Sequence, residues 1–204
     1  MTHTTAGRYF FLAMLLLPIL SACSSTRSLQ EWRDESFSGQ ANSLLVIAAL
    51  EDSERRKKVE DSYVARLAEL SIEASASHEV LGDAAVNRET VESAIAGTSI
   101  DAVLVTRLLG IETVEEYRPP ERHSYYRSYH RYYMRSMDYA SPGYYLEYDV
   151  LTLETNLYHR DTGELVWSMQ SESLDASSPQ QVIDEQIGLT VKRLQANGLI
   201  GAGN

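Results

Sequence analysis

Residues 43–50, SLLVIAAL, form an apolar run with no polar residue after Ser43. A strand with one wet face alternates apolar and polar side chains, so an unbroken run needs cover on both faces. That requirement points to helices on either side of a sheet, and the next segments supply them. Ser53 stands where a helix would be capped, and Val59, Tyr63, Leu67 and Leu70 then recur at spacings of four, four and three. IEASASHEV (72–80) is short and alternating, which predicts a second strand. Asn87 is placed to cap a second helix with Val91, Ala94 and Ile95 inward and Gly97 at its end. IDAVLVTRLLGIETVEEY (100–117) predicts an apolar strand that runs out into an alternating, half-exposed one.

The second half changes style. YYLEYDVLTLETNLYHR (144–160) and ELVWSMQSES (164–173) read as strands joined at RDTG, where Asp161 and Gly163 supply turn chemistry. Ser178-Pro179-Gln180-Gln181 has the spacing of a capping box with Pro in the first turn. The helix behind it carries Ile183, Ile187, Val191 and Leu194 inward and stops at Gly198. The fold class is therefore α/β: a single mixed sheet, parallel strands plus antiparallel hairpins, packed by about three helices in the order βαβαβββα. Residues 43–200 are assigned to one domain of ordinary size, with no internal repeat.

Cys23 is the only cysteine of the 204 residues, so a disulfide within the chain is excluded and the core must supply the stability. Its surroundings explain it. Arg8 is the one charged residue before it, and Tyr9–Leu20 is an uncharged stretch too short to span a bilayer as a helix, which takes about 20 residues. A cationic start, a short apolar core and small residues before a cut site describe a secretory signal. Leu20-Ser21-Ala22-Cys23 resembles the bacterial lipobox. The resemblance implies cleavage between Ala22 and Cys23, a diacylglycerol thioether on the Cys23 sulfur and acylation of the new amino terminus. Ser24, rather than aspartate, follows the cysteine, which in enterobacteria-like sorting implies the outer membrane. Residues 1–22 are then the signal peptide and 23–42 a lipidated, Ser-rich tether, with Trp32 and Phe37 the residues least suited to a pure spacer. Removing residues 1–22 takes away Arg8 and no acid, so 17 cations against 29 acids leave a charge of −12. A balance this acidic argues against general nucleic-acid or anionic-lipid binding by the domain.

Five segments carry a wider resemblance: SLLVIAALED, VEDSYVARLAEL, DAVLVTRLLGIET, LETNLYHRDTGELVWSMQSES and VKRLQANGLI. They resemble small bacterial outer-membrane lipoproteins of unknown function, whose domain is similar to the amino-terminal domain of TolB and the periplasmic parts of CsgG and LpoB. EWRD (31–34) matches the tryptophan-containing tether such lipoproteins carry, and TNLYHRDTGELVWS (155–168) is the most specific piece. The resemblance implies work in envelope assembly, such as activating a wall synthase, forming a secretion channel or docking to envelope machinery. It implies no catalytic residues.

Templates for chemistry fail one by one. No Walker-type GxxxxGK(S/T) is present, and GLIGAG (198–203) ends the chain without a following helix. GTSID (97–101) has Asp101 where a nucleophile elbow needs glycine. His3 leaves with the signal, and His78, His123, His130 and His159 make no HxxxH or HExxH pair, so they read as polar surface residues. EDSERR and ETVEEY read as solvated charged faces. No catalytic residue, metal ligand or cofactor site is assigned, and an enzyme ranks third among the readings.

One segment differs in composition. Ten of the thirteen tyrosines lie between Tyr117 and Tyr148, and from Arg118 to Arg135 five arginines meet one acid, Glu121, giving a local charge of +4. Pro119-Pro120 and Pro142-Gly143 punctuate residues 118–143 as a long loop, and loops of this length are usually functional or disordered. Tyrosine faces stack on sugars and guanidinium forks grip phosphate or carboxylate. Tyr125, Tyr126, Arg127, Tyr129, Arg131, Tyr132, Tyr133 and Arg135 are thus the candidate partner-binding residues, against the alternative of a low-complexity loop that contacts nothing specific. The sequence reads as a non-catalytic binding or accessory module in cell-envelope assembly or maintenance. It is held at the periplasmic face of the outer membrane through its lipid anchor. An envelope protein or cell-wall glycan is the expected partner, no nucleic acid is expected, and an oligomer is possible. The alternative is an oligomeric subunit of an outer-membrane secretion or export complex.

Overall fold

The computed structural model describes residues 25–82, 84–119, 143–174 and 178–201. In chain order the elements are β1 (Thr26–Arg33), β2 (Ser43–Ala49), α1 (Ser53–Ala68), β3 (Glu73–Ala76), α2 (Ser77–Leu81), α3 (Arg88–Ile95), β4 (Ala102–Arg118), β5 (Tyr144–His159), β6 (Leu165–Leu174) and α4 (Pro179–Ala196). The six strands make one mixed sheet in the order β1-β6-β5-β4-β2-β3. β2 pairs in parallel with β3 and β4, while β5 runs antiparallel to β4 and β6, and β1 antiparallel to β6. The α/β class and the single mixed sheet are those expected.

The unbroken apolar run behaves as its composition requires. Leu44 and Val46 face a core that includes Tyr63 and Leu67 of α1 and Val191 and Leu194 of α4. Leu45 and Ile47 face the other way, onto Ile95 of α3 and Ile100. Each fully buried leucine stabilises the fold by about 1.5–3 kcal/mol relative to exposure. Asp52, not Ser53, caps α1, accepting from the Arg55 N–H at 2.9 Å. Asn87 caps α3 and Ser178 caps α4 as the sequence indicates.

Inside the larger core a polar layer ties five elements together. Tyr63 Oη lies 3.2 Å from Thr190 Oγ1, Thr106 pairs with Thr155 at 3.1 Å, and Gln186 bridges Thr155 and Ser171. Burial pushes the Tyr63 phenol above its ordinary value, against the smaller pull of these hydroxyls.

Two expectations are corrected. Residues 26–33, read as part of a tether spanning 23–42, form the edge strand β1, registered on β6 from Thr26↔Ser173 to Arg33↔Trp167. The strand continues into the fold, for Phe37 packs on the core and the buried Ala41 donates its N–H to the Leu199 carbonyl at 2.7 Å. The physical cause is Glu31, which accepts from the buried Trp167 Nε1 at 2.8 Å and from Asn197 Nδ2 at 2.6 Å. The core therefore needs β1, although its polar sequence looks solvated. Second, the alternating segment 72–80 is a strand only over Glu73–Ala76, and Ser77 opens the short helix α2.

Candidate functional site

β4 and β5 are the longest strands, and only their inner halves are backed by neighbours. β2 pairs with β4 as far as Arg107, and β6 pairs with β5 from Val150 onward. Beyond those points, among the described residues, Thr113–Arg118 and Asp149–Tyr144 pair only with each other as a two-stranded arm, about 20 Å long at about 3.3 Å per residue. A bulge between Leu108 and Gly110 sits where the supported sheet gives way to the arm, a position at which a bulge re-aims a strand.

The register defines the two faces of the arm. Ile111/Leu151, Thr113/Asp149, Glu115/Glu147 and Tyr117/Tyr145 share one face, and Glu112/Val150, Val114/Tyr148, Glu116/Leu146 and Arg118/Tyr144 share the other. Tyr117 and Tyr145 pack as tilted rings with centroids 5.1 Å apart. Gly143 permits this, because a Cβ there would lie 2.2 Å from the Tyr117 hydroxyl. Large apolar side chains are left in water: Ile111 is 59% exposed, Tyr144 60% and Tyr145 67%. Between them lie acids on both faces. Thr113 Oγ1 donates to Asp149 Oδ1 at 2.8 Å and Arg118 pairs with Glu116 at 3.0 Å, whereas Glu115 stands directly opposite Glu147. Like charges opposed across a ladder destabilise it, so this arm is not optimised for its own stability.

The sequence-derived binding residues Tyr125, Tyr126, Arg127, Tyr129, Arg131, Tyr132, Tyr133 and Arg135 lie outside the described residues, as do Ala22, Cys23 and Ser24 at the lipidation site. What the structure does place is the root of the Tyr/Arg-rich segment. Arg118 and Tyr144 are paired, so the segment emerges from the arm's tip, at the far end from the helices.

A second polar cluster was not anticipated. Glu60 of α1 is fully buried, yet its carboxylate accepts from Ala48 N–H at 3.0 Å, Ser77 Oγ at 2.6 Å and His78 N–H at 2.9 Å. It also lies 2.8 Å from His78 Nδ1, and His78 Nε2 is 3.3 Å from Asp61 Oδ1. His78 is thus half-buried and held between two carboxylates rather than a free surface residue. Ser77 is spent on Glu60 and completely buried, so the cluster presents no nucleophile. It pins the first turn of α2, whose cap residue Ala76 has no side-chain acceptor of its own. Asp61, His78 and Glu79 bring ligand atoms within 4.8 Å of one another, close enough to share a cation, but exposed carboxylates gather this way without one. The only advance signal was Glu60 itself, an acid beside Val59 on the inward stripe of α1.

No protein-family model matches the chain, and no curated protein matches it by sequence. Solved structures resemble it at low identity and low TM-score. A PelC dodecamer from Paraburkholderia phytofirmans is 11% identical at a TM-score of 0.46, covering 83% of this chain and 97% of that one. Lipoprotein GNA1162 from Neisseria meningitidis is 14% identical at a TM-score of 0.42, covering 76% and 98%. A neuraminyllactose-binding hemagglutinin homolog from Helicobacter pylori is 10% identical at a TM-score of 0.41, covering 78% and 89%.

Proposed function

We propose that this chain is a non-catalytic binding module of the bacterial cell envelope, anchored in the outer membrane through lipid on Cys23, with the β4–β5 arm as its binding element. The observation that carries the reading is where the exposed apolar side chains lie. Among the described residues, Leu108, Leu109, Ile111, Tyr117, Tyr144, Tyr145 and Leu146 stand on the arm or at its base, and only Leu29, Trp32 and Val86 are comparably exposed elsewhere. Apolar side chains gathered in one place at the surface mark contact sites, and this group leads into the segment richest in tyrosine and arginine. Flat phenols flanked by guanidinium groups suit a glycan or an anionic protein surface. The anchor rests on the Leu20–Cys23 lipobox; no helix among the described residues is long and apolar enough to cross a membrane.

The arm's charges support this reading over the export-channel alternative. Lipid-facing hairpins need an unbroken apolar face over about 9–11 residues per strand. Glu115, Glu147 and Asp149 interrupt one face of the arm, and Glu112 and Glu116 the other. The test replaces residues 119–142 by a short Gly-containing turn joining Arg118 to Tyr144, and crosslinks the variant in intact envelopes. The fold should survive, because the arm's root is paired without the loop and loop closure changes by only about 0.6 kcal/mol per halving of length. Loss of the crosslinked partner, with melting unchanged, supports the reading. A partner retained by a folded deletion variant moves the site elsewhere.

A further inference from the structure

Among the described residues the sheet has two bare edges, one at each end. β1 is paired only with β6, and β3 only with β2. We propose that β1 of one copy adds to β3 of the next, so that the six-stranded sheet continues from molecule to molecule.

Strand direction permits it. β3, β2 and β4 are mutually parallel, and the antiparallel steps from β4 to β5, β5 to β6 and β6 to β1 leave β1 opposed to β3. Repeating the molecule along its own sheet, with the faces kept, sets β1 antiparallel beside the neighbour's β3. Glu73 turns its N–H inward to the Asn42 carbonyl at 3.2 Å, so alternation along the strand turns the backbone of Ala74 outward, toward an incoming strand.

Shape and charge agree with direction. β3 lies in an open groove of about 620 Å³ whose walls include Val64 and Ala68 of α1, Val80 of α2 and Ile100. The small side chains of Ala74 and Ser75 leave its floor clear. On the opposite edge, β1 presents Leu29, 49% exposed, and Trp32, 48% exposed. Both are large apolar side chains left about half in water. Of the β1 charges, Arg27 is paired with Glu172 of β6 and Glu31 is engaged inward by Trp167 and Asn197, which leaves Arg33 as the cation the edge can offer. β3 opens on the exposed Glu73, while Glu69 before it is paired with Arg66. One opposite-charge pair, Arg33 with Glu73, is therefore what the contact can add. β1 carries an inward acid, Glu31, and a bulge at Leu29, and β3 is short, but neither strand contains proline, so the backbone donors of both edges remain available to an incoming strand. β3 offers only four residues, so the groove walls and the Leu29 and Trp32 side chains complete the contact. Because the two surfaces differ, the contact is heterologous and builds a ring or a filament rather than a closed dimer.

The experiment uses the full chain in detergent, with mass followed by sedimentation as concentration rises. Wild type should grow beyond a dimer. Ala74→Pro removes the outward N–H of β3, and Leu29→Glu with Trp32→Glu sets acids on β1 against Glu73. Each variant alone should be a monomer with wild-type circular dichroism. Mixed in equal amounts, they retain one good edge each and should form a 1:1 dimer that grows no further. If Ala74→Pro fails to fold, Glu73→Lys with Ser99→Lys takes its place, since both side chains are exposed; it should be monomeric alone, and mixed with the acidic β1 variant it should grow again, because the altered edges then carry opposite charges. A monomeric wild type at every concentration overturns the proposal, as does a multimer unmoved by either set or a mixture that stays monomeric. So does a monomeric wild type that loses a bound envelope protein on Ala74→Pro, which would assign the groove to a foreign strand instead.

Discussion

Glu60→Ala tests the least expected part of the fold. The carboxylate sits at zero exposure where the C-terminal end of β2 meets the β3–α2 junction. Removing it strands the Ala48 and His78 backbone N–H groups and the Ser77 hydroxyl, whose acceptor it is. A buried donor left unsatisfied costs about 1–3 kcal/mol, and breaking a buried charged cluster about 3–5 kcal/mol in total. The lower end applies if Ser77 and water re-pair part of the set, so about 3–5 kcal/mol is the expected loss. Glu60→Gln keeps the shape and one acceptor oxygen but turns an NH2 toward the donors, and should cost about 1–3 kcal/mol. In a chain of this size each kcal/mol lowers Tm by about 2–4 °C, which places the alanine variant roughly 10 °C below wild type. Urea unfolding followed by circular dichroism measures the difference, with an unchanged slope showing that stability alone has moved. Amide exchange should quicken at Ala48 and His78 first. A Glu60→Ala variant within about 0.5 kcal/mol of wild type, or a glutamine variant worse than alanine, would refute the reasoning.

Three further outcomes follow from particular contacts. Trp167→Ala empties a fully buried site and should cost about 3–5 kcal/mol by the same urea assay; since the chain's other tryptophan, Trp32, is exposed, the loss of blue-shifted emission reports the same change. Burial pushes the Glu154 carboxyl up, but hydrogen bonds from Arg107 and Gln170, the Arg107 charge and Asn156 outweigh it and leave it below 4.5. A lowered carboxyl contributes stability that is present above its unfolded value and lost as pH falls through the folded one. The Tm advantage of wild type over Glu154→Gln should therefore shrink as pH drops below 4.5 and disappear in stronger acid, and a gap independent of pH would contradict it. Cys23→Ala should abolish fatty-acid labelling and leave the precursor uncleaved; a variant processed and fractionated like wild type removes the anchor from the reading.

How much was legible depended on how strongly each segment advertises its environment. β2 and α4 did so plainly, because an apolar run and a Ser-Pro cap have few other uses. β5 and β6 were legible through alternation and the RDTG turn, where Gly163 takes φ +66. β1 was not. An edge strand with one wet face and a bulge at Leu29 shows polar residues at almost every position, so composition alone reads it as spacer. The segment 72–80 misled for another reason: alternation predicts a strand, but Glu60, eighteen positions before His78, captures its backbone N–H and turns the chain into α2. Pairings at that separation leave no periodic trace. The prolines of the tyrosine-rich segment read as loop punctuation, and its interior lies outside the described residues; nothing local revealed that the strands flanking it outrun the sheet.

That overrun separates what stabilises this protein from what it displays. Residues that root β4 and β5 are buried among helices: Leu104, Thr106, Thr155 and Leu157. Past Leu108 the same strands expose isoleucine, leucine and tyrosine and set Glu115 against Glu147, choices that an isolated two-stranded ribbon in water does not favour. On the proposed reading, such an arm gains from a partner what it lacks from the sheet. In sequence its acids precede a segment that carries four more positive than negative charges between Arg118 and Arg135. Contacts made through exposed charges are screened over about 8 Å at physiological ionic strength, whereas stacking on Tyr144 and Tyr145 is not. Binding that weakens steeply with salt would assign recognition to the arginines, and binding that persists would assign it to the exposed rings. The two contributions can therefore be told apart on the intact protein.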